Sequence, residues 1–162
     1  MRTLKVLVTL LLASACATST TQPASAPTTR SNGQLIQSLY DSFGRGDVPT
    51  VLAAFDPEIV WMEAENTRYA DGNPYRGPQA VLQGVFMRLG GDWNDFRLHV
   101  DEIVDGGDAV VALGRYSGTN KATGQALNSQ FAHVWHLRNG KVVRFQQYAD
   151  TVQFARASGD LK

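Results

Sequence analysis

The chain predicts an α+β fold, a cone-shaped curved antiparallel sheet packed against three N-terminal helices. Two observations carry this. Apolar residues recur at helical spacing as far as Leu89, and from Phe96 onward the period changes to two. Turn signals at Asp105-Gly106-Gly107-Asp108 and Asn139-Gly140 then divide the second part into strands joined by hairpins. Helices first and a run of strands after them is the order of an α+β domain.

Each element has a local cause. Leu35, Ile36, Leu39, Tyr40 and Phe43 form the stripe of a first helix, which Gly44 and Gly46 stop. Asp47 caps a short second helix carrying Val48, Val51, Leu52 and Phe55, and Pro49 sits in its first turn, where no N–H is needed. Ile59 to Glu63 alternates as a strand, and Asn66 to Arg76 is an irregular loop. Gly77-Pro78 opens a third helix with Val81, Leu82, Val85, Phe86 and Leu89 on one face, closed by Gly90-Gly91. Four strands follow at 96–104, 109–118, 127–137 and 141–150, and Thr151 to Ala157 forms a last helical turn.

Composition bounds the function. The 162 residues are 43% hydrophobic and 19% charged, with 15 basic and 15 acidic side chains, which suits one soluble globular domain. Zero formal charge argues against nucleic acid as a partner, since phosphate binding needs clustered Lys and Arg. The single cysteine, Cys16, excludes an intrachain disulfide and a cysteine metal cluster. His99, His133 and His136 lack ligand spacing, so a metal site is not expected. Gly44-x-Gly46 lacks the continuation and strand context of a nucleotide loop, and Ser129 lacks the context of a nucleophile.

The first sixteen residues read as an export signal: Arg2 and Lys5, an apolar run from Val6 to Ala13, then small residues. The run is too short to cross a hydrocarbon core of about 30 Å. Ala13-Ser14-Ala15-Cys16 resembles a bacterial lipobox, with Cys16 as the lipidation site, and Ala13-Ser14-Ala15 also fits simple cleavage. The expected location is therefore the bacterial cell envelope, lipid-anchored in the periplasm, or secretion; any membrane attachment is through Cys16. Residues 17–32, rich in Thr, Ser, Pro and Ala, read as a flexible tether, 33–157 as the folded domain and 158–162 as a tail.

Seven motifs then stand together: Phe43-Gly44-Arg45-Gly46-Asp47, Val60-Trp61, Tyr75-Arg76-Gly77-Pro78, Thr123-Gly124, Phe131-Ala132-His133-Val134-Trp135, Asn139-Gly140-Lys141-Val142 and Tyr148-Ala149-Asp150. In this order they resemble a SnoaL-like domain over roughly residues 34–155, by pattern. That family belongs to the superfamily of nuclear transport factor two, ketosteroid isomerase and scytalone dehydratase, which hosts isomerases, cyclases, dehydratases and non-enzymatic binders on one roll. The resemblance implies a pocket inside the cone, no cofactor and a homodimer formed through the outer sheet face, here Val142, Arg144, Gln146 and Tyr148. Ketosteroid isomerase uses an Asp base facing a Tyr and a protonated Asp that hold the oxyanion. Counted from the shared motifs, Glu63 falls near the base, His133 near the oxyanion Asp, and Leu39, beside Tyr40, near the Tyr. SnoaL-type cyclases use an Asp late in the sheet, which Asp150 matches.

The catalytic candidates are thus Glu63, His133 and Asp150, and each has a plainer alternative. Glu63 shares a strand face with Ile59 and Trp61; turned inward it is a desolvated carboxyl suited to acid–base work, turned outward it points to water or pairs with Arg68 or Arg76. His133, between Phe131 and Trp135 on one face, is an inward proton carrier or a satisfied core histidine. Asp150 either turns inward at a bulge or caps the turn at 151–157. Tyr40, Trp61, Tyr75, Phe86, Phe131, Trp135 and Gln147 are the expected ligand-binding wall, with Tyr69 and Tyr75 on the rim loop. The expected ligand is a small apolar molecule bearing a carbonyl or hydroxyl. The expected activity is general acid–base isomerisation, cyclisation or dehydration, and the alternative is a binding or dimeric interaction module without turnover.

Overall fold

The computed structural model describes residues 30–161; the expected signal, Cys16 and nearly all of the tether lie outside them. Helix α1 (Asn32–Gly44) starts inside the segment read as tether, because Ser31 accepts from the Gln34 N–H while the Gln34 side chain accepts from the Ser31 N–H. This reciprocal box satisfies two donors that a helix start would otherwise leave unpaired. Gly33 sits so close to Asp105 that an added Cβ would lie 2.8 Å from its carboxylate, which accepts from the Gly33 N–H. Helix α2 (Val48–Ala53) is capped by Asp47 as expected.

Strand β1 (Phe55–Met62) follows, then a 3-10 turn (Arg68–Gly72) and a two-residue strand β2 (Tyr75–Arg76) within the stretch expected to be loop. The third helix is three segments rather than one: α3 (Pro78–Val81), a π-helical turn (Leu82–Phe86) and α4 (Met87–Asp92). Gly90 and Gly91 lie within its last turn instead of ending it. The long strands β3 (Trp93–Asp105), β4 (Ala109–Asn120), β5 (Ala126–Arg138) and β6 (Lys141–Ala149) run longer than, or close to, their expected spans, and α5 (Thr151–Ser158) closes the fold. The described part of the expected tail is not all loose: Ser158 is buried and Asp160 pairs with Arg68 at 2.8 Å.

The strands form one sheet in the order β2-β1-β6-β5-β4-β3. It is mixed rather than antiparallel throughout, because β1 lies parallel to β6, with Trp61 opposite Phe145. β3 slips register against β4 at Asn94/Arg97 and again at Val100/Glu102. Such bulges bend the strand that carries them. Opposite the second slip, a Cβ on Gly114 would overlap the carbonyl of His99, so only glycine admits that approach. The bent sheet closes over the helices. One apolar cluster joins Ile36, Leu39, Val51, Val81 and Val85 to Trp61, Trp135 and Phe145; a second joins Tyr69, Trp93, Tyr116, Phe131 and Phe154.

One expected surface residue is misplaced by the pattern. Val142 is fully buried, not on the outer face, since the register slips between His136 and Leu137 and reverses which residues face inward at the start of β6. Tyr148 is 60% exposed, and Arg144 is exposed too.

Candidate functional site

A cavity opens between the concave sheet face and α1, the π-turn and α5. Its walls bound about 580 Å³ including the mouth, of which about 60 Å³ admits the centre of a water molecule. Apolar and aromatic side chains dominate the lining, and Glu63, His133, Gln147, Tyr40 and Tyr116 bring polar atoms into it. Tyr40, Phe43, Phe96 and Leu98 also line a cleft beside Arg97, between the end of α1 and β3.

Glu63 stands one residue past β1. Its backbone is gripped by Asn73, which accepts from the Glu63 N–H and donates to the Glu63 carbonyl, both at 2.9 Å. The side chain turns inward, 3% exposed, and the Trp61 indole donates to Oε1 at 2.6 Å. Neither Arg68 nor Arg76 pairs with it: Arg68 bonds Asp92 and Asp160 instead. Burial pushes the Glu63 carboxyl up to about 7, against the pull of the Trp61 indole, the Gln147 amide and the more distant Arg88 guanidinium.

His133 is 3% exposed and held between two phenols. Tyr40 Oη lies 2.7 Å from Nδ1 and Tyr116 Oη 2.5 Å from Nε2. Burial drives the imidazole down to about 3, so it is neutral at ordinary pH. The Trp135 indole donates to Tyr40 Oη at 3.0 Å, and Gln147 Nε2 donates to Tyr116 Oη at 2.8 Å. The amide of Gln147 is oriented by the Ala64 N–H, which donates to its Oε1 at 3.1 Å. Burial also raises both phenols above their ordinary value, so each keeps its proton. Five side chains on α1, β4, β5 and β6 therefore form one buried hydrogen-bonded array on the wall that also carries Glu63.

Of the expected wall residues, Tyr40, Trp61, Phe86, Trp135 and Gln147 line the cavity. Three expected site residues do not. Asp150 is exposed and caps α5, accepting from the Gln153 N–H, because β6 ends without a bulge that would turn it inward. Tyr75 lies behind the wall: its ring is wedged between Gly72 and Gly84, and its hydroxyl donates to the Tyr69 carbonyl at 2.6 Å. Phe131 backs His133, ring stacked on ring at 4.2 Å, rather than touching the cavity. Tyr116 is the residue that sequence reasoning missed. The alternation Val110, Ala112, Gly114, Tyr116 puts it on the inner face; its strand partner on β5 is Ser129, and its hydroxyl reaches along the inner face to Nε2 of His133. Among the described residues no cluster of three or more His, Cys, Asp or Glu is placed to hold a metal ion.

Comparison with known proteins agrees with this architecture. A SnoaL-like domain profile matches residues 36–145. A nuclear transport factor two-like protein of Burkholderia thailandensis is 35% identical, with 80% of this chain and 98% of that one aligned at a TM-score of 0.76. A second, of unknown function, from Burkholderia pseudomallei is 30% identical over 78% of this chain and 97% of that one, at 0.71. TerC, crystallized together with polyporic acid, is 24% identical over 78% and 96%, at 0.69. No curated protein matches the chain. The profile match, the bent mixed sheet and the helices packed within it together place this chain in the SnoaL-like family, on the nuclear transport factor two-like and ketosteroid isomerase-like fold.

Proposed function

We propose that the cavity takes a small apolar carbonyl compound and that Glu63 exchanges a proton with the carbon beside the carbonyl, the step common to isomerisation and cyclisation through an enol. One observation carries this reading: a single carboxyl, buried among aromatic rings and held near neutrality, shares a cavity wall with an array of O–H and N–H groups. A carboxyl poised there can accept a proton as carboxylate and return it as acid. A phenol O–H is the donor needed at the oxygen where charge develops, in a site that excludes bulk water. His133 is neutral, so it serves as a link between phenols rather than as a cationic acid. TerC was crystallized with polyporic acid, a ligand that supports a small-molecule role for the pocket on this fold.

The test is deuterium uptake from D2O at the α-carbon of cyclohexanone, followed by proton NMR. Exchange by the wild type and its loss, at least 100-fold, in Glu63→Gln is the expected result. Saturable binding of cyclohexanone without exchange supports the second reading, a binding module. That reading is favoured by Asp150, whose role as a helix cap leaves one carboxyl where two were expected.

The export signal and Cys16 lead us to propose a lipid-anchored envelope protein, tested by incorporation of labelled palmitate that Cys16→Ser abolishes. We also propose a homodimer through the outer sheet face, with Arg144, Gln146 and exposed Tyr148. Sedimentation of wild type against Tyr148→Glu tests it.

A further inference from the structure

The array around His133 contains a proton surplus that follows from counting. Two indispensable donors are fixed from outside. The Trp135 indole can only donate, and it donates to Tyr40 Oη. Gln147 has its oxygen committed to the Ala64 N–H, so its NH2 faces Tyr116 Oη and donates there. Each phenol oxygen thus already accepts one hydrogen. Between the phenols, a neutral imidazole has one N–H and one lone pair. If Nε2 carries the proton, it donates to Tyr116, and Nδ1 accepts from Tyr40. If Nδ1 carries it, it donates to Tyr40, and Nε2 accepts from Tyr116. Two contacts to His133 consume two of the three available protons, one from the ring and one from each phenol. One phenol proton remains.

That remaining O–H has no acceptor inside the array, because the hydrogen bonds of Tyr40 and Tyr116 among the described residues run only to His133, Trp135 and Gln147. Both phenols line the cavity. A buried donor without a partner is costly, and a ligand oxygen that takes it up removes the cost. We propose that Tyr40, His133 and Tyr116 form a one-proton relay that offers the cavity a single O–H donor, from Tyr116 or from Tyr40 but never from both, and so selects a ligand held through one carbonyl-type oxygen. The tautomer of His133 decides which end donates. With Nε2 protonated the free O–H is that of Tyr116, which Gln147 ties to the segment carrying Glu63, since the Gln147 NH2 donates to Tyr116 Oη and its oxygen accepts from the Ala64 N–H, and Tyr116 and Glu63 line the same cavity. The proposal rests on the carbonyl reading of the cavity and adds to it the number of donors and the residue that sets their place.

The experiment uses the wild-type protein with cyclohexanone and carbonyl-labelled cyclohexane-1,4-dione, and two spectroscopic readouts. Nitrogen NMR of 15N-histidine protein at pH 7 is expected to show His133 with one protonated and one lone-pair nitrogen, and addition of cyclohexanone is expected to shift the population toward the Nε2-protonated tautomer. Infrared spectra of the bound dione are expected to show one carbonyl band lowered by hydrogen bonding and one left where it lies in an apolar solvent. Two lowered bands, no lowered band, two protonated nitrogens on His133, or no saturable binding of either ketone would each overturn the relay. Glu63→Gln separates this from the proposed activity: it is expected to abolish deuterium uptake while the one lowered band persists, and a wild type that shows the band but no uptake keeps the relay and removes the activity.

Discussion

Replacing Glu63 with glutamine should make the protein more stable, and increasingly so as the pH rises. The side chain keeps its shape and its oxygen can still accept from the Trp61 indole, now 2.6 Å from Oε1. Only the ability to ionise in a buried place is lost. Burial raises the folded-state value of Glu63 from 4.5 to about 7. A carboxyl shifted upward favours its neutral form in the folded state, so its relative stability is greatest below the unfolded value and is lost as pH climbs through the folded one. The window therefore runs from about pH 4.5 to about pH 7. The rise from 4.5 to about 7, at about 1.36 kcal/mol per pH unit, amounts to about 3 kcal/mol of stability that the wild type gives up across the window and the variant does not. His133 acts with the opposite slope, since its lowered value penalises the fold as pH falls. It is present in both proteins, so the difference between them cancels it. Urea unfolding of wild type and Glu63→Gln at half-unit steps from pH 4 to pH 9 reads this directly. The gap should widen in favour of the variant by roughly 3 kcal/mol and level off above pH 8. A gap that stays flat, or that widens toward acid, would show that the carboxyl is not desolvated.

Two further substitutions separate structure from site. Asp150→Ala removes the side-chain cap of α5 and should cost about 1 kcal/mol in urea unfolding while leaving ketone binding unchanged, because the residue stands outside the cavity. Gly84→Ala drives a methyl into the ring of Tyr75, against the π-turn that carries Val85 and Phe86, and should cost about 1–3 kcal/mol and loosen that wall of the cavity, seen as faster amide exchange over residues 82–86.

Much of this architecture is legible in local pattern. Asn139 and Gly140 both adopt positive φ, 53° and 72°, as a two-residue hairpin turn requires. The alternation Phe131, His133, Trp135 correctly turns the imidazole inward, and Ile59, Trp61, Glu63 does the same for the carboxyl. What the sequence hides is non-local. The parallel pairing of β1 with β6 joins segments about eighty residues apart, and no turn signal announces it. Val142 is turned inward by a register slip, which one strand's alternation cannot report. Tyr75 follows three residues after Gly72, but the opposing Gly84 that closes over its ring is supplied by the helix. Tyr116 becomes meaningful only once the pairing of β4 with β5 puts both side chains on one inner face, where its hydroxyl reaches His133. By contrast, the Ser31-x-x-Gln34 capping box is a local signal, masked here by the Thr- and Ser-rich composition before it.

Acid–base work by Glu63 requires its buried carboxyl to be half-protonated near neutral pH. Infrared difference spectra between wild type and Glu63→Gln, recorded from pH 4 to pH 9, isolate the carboxyl stretch of this one residue. A protonated-acid band that persists to pH 6 and disappears with a midpoint near 7 is the predicted result. A band already gone by pH 5 would mean an ordinary solvated glutamate, and the acid–base role assigned to Glu63 would fall with it.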